Sequence, residues 1–378
     1  MHPSNGGPCQ GIRNSIPALK KMGVENEVLC FDEKGIDYGI NDDFIIHQIG
    51  PAKGPYSYCP KMLTWLEENI KNYDAVIIHG LWLYNSYGAY SILKKLKKQE
   101  KTKAKLYVMP HGMLDPYFQR APERKLKAIR NTIFWHLFEK KVVNGADGIL
   151  FTCERELELA RKTFNDYHPK REINVGYGIQ SPPIRAEQAV IDLKQTLGID
   201  KNESYLLFLS RIHEKKGVDL VIKTYLQIKS EGKINVPKLV IAGPLDSDYS
   251  KQMQDLAKET KDIIFVGMLK GEQKWAALYG AEVFLLPSHQ ENFGIAVVEA
   301  MACQTPVLIS NKVNIYTEII EGKGGMVETD SLEGCKKMLE KWLQLSDEKK
   351  IQYQQNARKT YETYFTIEQA AQQLRELL

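Results

Sequence analysis

Nothing in these 378 residues approaches the roughly 20 consecutive apolar residues that a membrane-crossing helix needs. The opening residues are polar and glycine-rich, so no signal peptide is read there. Cysteine is sparse and unpatterned. The six thiols (Cys9, Cys30, Cys59, Cys153, Cys303, Cys335) lack metal-ligand spacing and read as reduced side chains of a cytoplasmic protein. Charge of one sign is also lacking: a net +4 is too little to argue for nucleic acid. With 43% hydrophobic and 26% charged residues, the composition excludes both disorder and a multi-span membrane protein.

What is there is alternation. Short apolar runs at 28–31, 44–49, 75–79, 106–109, 148–152 and 173–177 read as strands. Amphipathic stretches at 11–22, 61–69, 87–98, 124–144 and 154–164 separate most of them as helices. From Leu206 the rhythm restarts, with strands at 206–209, 238–242, 263–266, 283–286 and 307–310. Strands alternating with helices make parallel sheets covered on both faces. Two such blocks predict two Rossmann-like domains, 1–183 and 184–355. Pro182-Pro183 lies in the linker, and a helical tail covers 356–378.

Two loops in the second block carry chemistry. The strand 206–209 runs into Arg211-Ile212-His213-Glu214-Lys215-Lys216-Gly217, and a helix follows from Val218. In open α/β sheets, ligands bind where strands end. Arg211 and Lys216 there suit a diphosphate, one through its planar fork and the other as a point charge. The strand 283–286 runs into a polar turn with Glu291, then Asn292-Phe293-Gly294, and a helix containing Glu299. A helix start offers free N–H groups and a positive dipole end to a phosphate. Glu299 has apolar neighbours, and a buried carboxylate needs partners.

Together, Arg211 and Lys216 with the Glu-x7-Glu pair Glu291 and Glu299 resemble the retaining glycosyltransferases of family 4, the group 1 glycosyl transferases. The resemblance extends over most of the chain and is strongest at 206–310. It implies the GT-B fold: two Rossmann-like domains with parallel sheets facing across a cleft. It implies donor contacts from Gly6, Gly7, Arg211, Lys216, Met268, Leu269, Glu291, Asn292, Phe293, Gly294, Ile295 and Glu299. Glu299 would take the ribose, Met268 and Leu269 the base, and Glu291 the sugar hydroxyls. It also implies that a terminal helix crosses back to the first domain. Asp246-Ser247-Asp248 follows Gly243-Pro244, where the family places no metal. Metal independence and no cofactor are therefore expected.

The first block adds candidates. Asn5-Gly6-Gly7-Pro8 before an amphipathic helix forms a backbone cradle. No buried strand precedes it, although the family's first domain opens with one, so Met1 is read as an internal methionine of a longer chain, with a rearranged sheet as the alternative. His111, at the end of the strand 106–109, matches the family's position for a His that meets a sugar hydroxyl or reaction charge. With Glu291, Arg211 and Lys216 it completes the expected catalytic set. His79, Trp82, Tyr84 and Asp115 are acceptor-side candidates, although aromatics commonly pack and Asp115 also suits a turn cap. Region 120–141 is basic and aromatic. It reads either as a sheet-packed helix with a solvated face or as a contact for anionic lipid.

The expected activity is transfer of a hexosyl group to a saccharide or lipid-linked saccharide acceptor in cell-surface polysaccharide synthesis, at the inner face of the membrane. UDP-glucose is the favoured donor. A sugar-nucleotide epimerase of the same fold and a nucleotide-binding protein without transfer activity are the alternatives. Acceptor-dependent release of nucleoside diphosphate separates the three.

Overall fold

The computed structural model describes Met1 and residues 6–378. Asn5 of the glycine cradle lies outside the described residues. The chain forms two compact units. The first comprises Met1–Gly178 with Ile367–Leu378, and the second is Ile179–Thr366. The second unit thus starts before the diproline. The long helix Asp347–Tyr364 stays within it, packed on Ile295–Ala302 and Tyr316–Gly322. Only the last helix, Ile367–Arg375, joins the first unit, where Ile367, Ala371 and Leu374 share a core with Ala18, Leu19 and Tyr107.

Among the described residues, six strands belong to the first unit: β1 (Glu27–Cys30), β2 (Ile45–Gln48), β3 (Ala75–His79), β4 (Lys105–Met109), β5 (Gly148–Phe151) and β6 (Glu172–Asn174). They form two parallel sheets rather than one. β1 pairs with β2, and the other four run in the order β3-β4-β5-β6. Among the described residues, β1 and β3 are therefore sheet edges, each with one partner strand. β4 and β5 are almost wholly buried, as continuous apolar runs require when both faces are covered.

One helix departs from expectation. The pattern at 124–144 predicts an unbroken helix, but the α-helix Lys125–Phe134 gives way to a π turn, Trp135–Glu139, before α-helix resumes at Lys140–Gly145. The wider turn presents both Trp135 and Glu139 inward, each with no exposure. Trp135 stacks on Phe164 at 4.2 Å and donates to Asp166. Glu139 Oε1 accepts from Trp82 N–H (2.9 Å) and Ser86 Oγ (2.7 Å), while Oε2 has no partner. Burial pushes this carboxyl up to about 7, against the pull of those two donors.

The second unit holds β7 (Tyr205–Leu209), β8 (Lys238–Ala242), β9 (Ile263–Gly267), β10 (Val283–Leu286), β11 (Val307–Ser310) and β12 (Gly325–Glu328). All pairings are parallel, in the order β12-β11-β10-β7-β8-β9. β12 was not legible in the sequence, because its Gly-Gly start and polar end conceal it. The chain runs outward from β7 to one side and from β10 to the other. Their shared C-terminal edge is thus the switch point at which such sheets bind ligands.

Candidate functional site

At that edge, the loops after β7 and β10 are fastened together. His289 N–H and Ser288 Oγ both donate to the Lys215 carbonyl at 2.8 Å. Lys215 Nζ donates to Gln290 Oε1 at 2.6 Å, and Ser310 Oγ bonds the Ser288 carbonyl. Gly217, at φ 67°, permits the closeness: a Cβ there would lie 2.3 Å from the Pro287 carbonyl oxygen. The β10 loop is also tied to the segment after β11, with Glu291 N–H on Lys312 O and Asn314 N–H on Glu291 O.

The fastening brings Lys216 and Glu291 together as an ion pair, with side chains 8% and 19% exposed. Burial would raise the Glu291 carboxyl, but the nearby Lys216 and Lys215 charges and the Asn292 N–H hold it below its ordinary value. Arg211, just past β7, is exposed. Gly294, at φ 76°, caps the helix Ile295–Ala302, whose first turn contains no acidic residue to compete for the free N–H groups. Phe293 is buried, edge-on to Phe365, and Asn314 steadies Asn292.

Glu299 lies on the same helix, its side chain 14% exposed, and Oε1 accepts from Lys274 Nζ at 2.6 Å. Its carboxyl is raised by burial, with Lys274 pulling the other way. Lys274 and Lys215 were not identified from the sequence. Lys274 sits at the polar start of an otherwise apolar helix, Gly271–Gly280, and its meeting with Glu299 marks it. Met268 is exposed and Leu269 half-buried just past Gly267, at the end of β9.

The first unit has its own cluster. β3 and β4 run in register, so His79 is opposite Met109, and His111 follows two residues later. His79 Nδ1 and His111 Nε2 are 2.9 Å apart with the rings stacked, so one ring donates and the other accepts. Burial lowers His79 to about 4. Burial, followed by the His79 charge, drives His111 well below its usual value. Both are neutral at pH 7. His111 has φ 52°, and its turn is pinned by Glu156, a buried carboxylate that accepts from Gly112 N–H, Thr152 N–H and Thr152 Oγ1. Glu156 was missed because Glu154-Arg155-Glu156 reads as an ordinary solvated helix start. The His111 ring stands edge-on to Tyr177, whose hydroxyl donates to the Gly7 carbonyl at 3.0 Å.

Gly6 and Gly7 are exposed at the start of the helix Gly7–Lys21, with open space where a Cβ would stand. Asp115 is buried, and its Oδ1 caps Tyr117 N–H at 2.8 Å. Trp82 packs on Phe164, and Tyr84 packs between Tyr56 and Tyr58. Both rings are thus engaged in packing. No three His, Cys, Asp or Glu residues gather as metal ligands among the described residues.

Residues 190–360 match the family model described as glycosyl transferases group 1. That match covers just under half of the chain and, with the curated glycosyltransferase relatives, supports the group 1 glycosyl transferases; the fold is GT-B. It is 23% identical over 379 aligned positions to the lipopolysaccharide 1,2-N-acetylglucosaminetransferase of Salmonella typhimurium, covering 94% of this chain and 90% of that one. It is 33% identical over 176 positions to the alpha-monoglucosyldiacylglycerol synthase of Streptococcus pneumoniae, covering 44% of this chain but only 38% of the relative. In fold it is similar to sucrose-phosphate synthase from Thermosynechococcus elongatus, with a TM-score of 0.72 and 18% identity, covering 98% of this chain and 92% of that one.

Proposed function

We propose that this glycosyltransferase is retaining and metal-independent, and moves a hexosyl group from a nucleotide-sugar, with UDP-glucose favoured. The acceptor is a saccharide or a lipid-linked saccharide in cell-surface polysaccharide synthesis. The enzyme works in the cytoplasm at the inner membrane face, with region 120–141 toward the lipid. The likeness to lipopolysaccharide and glycolipid transferases supports this acceptor class.

The observation that carries the donor reading is the pair of carboxylate–lysine contacts at the switch point, Glu291–Lys216 and Glu299–Lys274, beside an exposed Arg211. The diphosphate takes Arg211 and shares Lys216 with Glu291, while the helix start at Gly294 receives remaining phosphate charge. These groups replace a divalent ion. Glu299 offers Oε2 to the ribose, since Lys274 occupies Oε1. Met268 and Leu269 lie against the base.

Glu291 is fixed by Lys216 and the Asn292 N–H, an arrangement suited to accepting sugar hydroxyls rather than attacking carbon. The reaction then runs on one face of the sugar. The C1–O bond to phosphate breaks, the acceptor oxygen bonds C1, and the acceptor proton passes to the departing diphosphate. On the acceptor side, the neutral His79–His111 pair hydrogen-bonds sugar hydroxyls without adding charge.

A thermal-shift panel of sugar nucleotides tests the donor. Stabilisation by UDP-glucose and UDP above other nucleotides is expected. Equal response to every nucleotide, or none, overturns the donor assignment.

A further inference from the structure

The helix Lys125–Phe134 is held by its inner face. Asn131, Trp135 and Glu139 are buried, and Tyr56 packs against Phe134 and Phe138. Its outer face is nevertheless apolar. Leu126 is 84% exposed, Ile129 59%, Ile133 52% and Leu137 52%. The first three fall within about 60° of arc at helical geometry, and Leu137 follows in the π turn. Such a ridge is not explained by folding, because the inward side is already filled.

Cations rim the ridge. Lys125 and Lys127 are exposed and enter no ion pair among the described residues. Among the described residues, Arg130 bonds only Asn131. At the far end a recess of about 420 Å³ is lined by Tyr90, His136, Lys140, Lys141, Asn144 and Gly145. Asp166 pairs with Lys140 and His136 beneath that end. Between 120 and 141 there are seven Lys and Arg against two Glu, so this segment alone exceeds the whole chain's net +4.

We infer that this face docks on an anionic phospholipid bilayer. The convex row of Leu and Ile enters the boundary between headgroups and acyl chains, and Lys125, Lys127, Arg130 and Lys141 meet the phosphates. A second copy of the chain is disfavoured, since it would set two cationic faces against each other. The inference deepens the membrane contact of the function proposed above and rests on that reading, but it requires neither donor nor acceptor.

Flotation of the full chain with vesicles, without substrates, therefore tests it independently of the donor site. Vesicles of equal parts phosphatidylcholine and phosphatidylglycerol should carry the protein up, and phosphatidylcholine alone should not. Lys125→Ala and Lys127→Ala should each lower partitioning about fivefold. Ile129→Asn with Ile133→Asn should lower it at least as much as both lysine changes together, with circular dichroism unchanged. Equal binding to both vesicles, no binding to either, or indifference to both variant pairs overturns the inference. Self-association in sedimentation that Ile133→Asn abolishes, without vesicle binding, assigns the ridge to a second copy and also overturns it.

Discussion

Replacing Lys216 by Met should destabilise the second unit in a way that depends on pH. The ammonium is paired with Glu291, and the two side chains are 8% and 19% exposed. Removing one partner of a buried pair costs about 3–5 kcal/mol. Glu291 keeps some solvent, the Asn292 N–H and the Lys215 charge, so about 2–3 kcal/mol is expected here. The sign follows from the carboxyl. In the wild type its folded pKa is below the unfolded value, so the pair stabilises above the ordinary carboxylate range and fades on acidification. Without Lys216, burial gains the upper hand, and the cost of a buried anion vanishes once the carboxyl is protonated. Urea unfolding, with amide exchange of β7 and β10 reporting on this unit, should show the full loss at about pH 7.5 and under 1 kcal/mol at about pH 4.5. Lys216→Met with Glu291→Gln should lose less at neutral pH than Lys216→Met alone. Equal losses at both pH values, or simple additivity of the two changes, would refute the coupling.

Glu299→Ala should weaken nucleoside diphosphate binding by about 2–3 kcal/mol in calorimetry, because ribose hydrogen bonds to a carboxylate are charge-assisted; unchanged affinity removes Glu299 from the site. Gly217→Ala should cost about 2 kcal/mol or more, since it combines φ 67° with a 2.3 Å approach to the Pro287 carbonyl. A wild-type melting curve for that variant would mean that the two loops are not fastened as described. Glu139, raised to about 7, makes stability fall as pH rises from its unfolded value through that point, because the folded form keeps the proton longer. Glu139→Gln should therefore gain about 2 kcal/mol at pH 8 and nothing at pH 5, and a gain independent of pH contradicts the assignment.

The two loops of the candidate site were legible because three signals coincide there. An apolar run ends, a polar turn carries cations or a carboxylate, and a helix starts at glycine, as at Leu209 to Val218 and Leu286 to Ile295. Their partners were less legible. Lys274 is 25 positions from Glu299 and lies on another helix, so no local spacing reveals the pair. Glu156 and the His79–His111 contact likewise depend on strand register, which the sequence does not print. The π turn at Trp135–Glu139 was hidden because one extra residue leaves the apolar periodicity almost intact. Trp82 and Tyr84 illustrate the reverse: aromatic side chains beside a strand end suggest sugar stacking, yet packing against Phe164, Tyr56 and Tyr58 occupies them.

The central claim, transfer from a nucleotide-sugar through the Arg211, Lys216, Glu291 and Glu299 site, is tested most directly by measuring nucleoside diphosphate release with and without a saccharide acceptor, in the presence of a strong chelator. Release should require the acceptor, survive chelation, and fall in Lys216→Ala more than donor affinity does. Release without acceptor, an epimerised donor, donor binding with no turnover under any acceptor, or activity restored only by a divalent ion would contradict it.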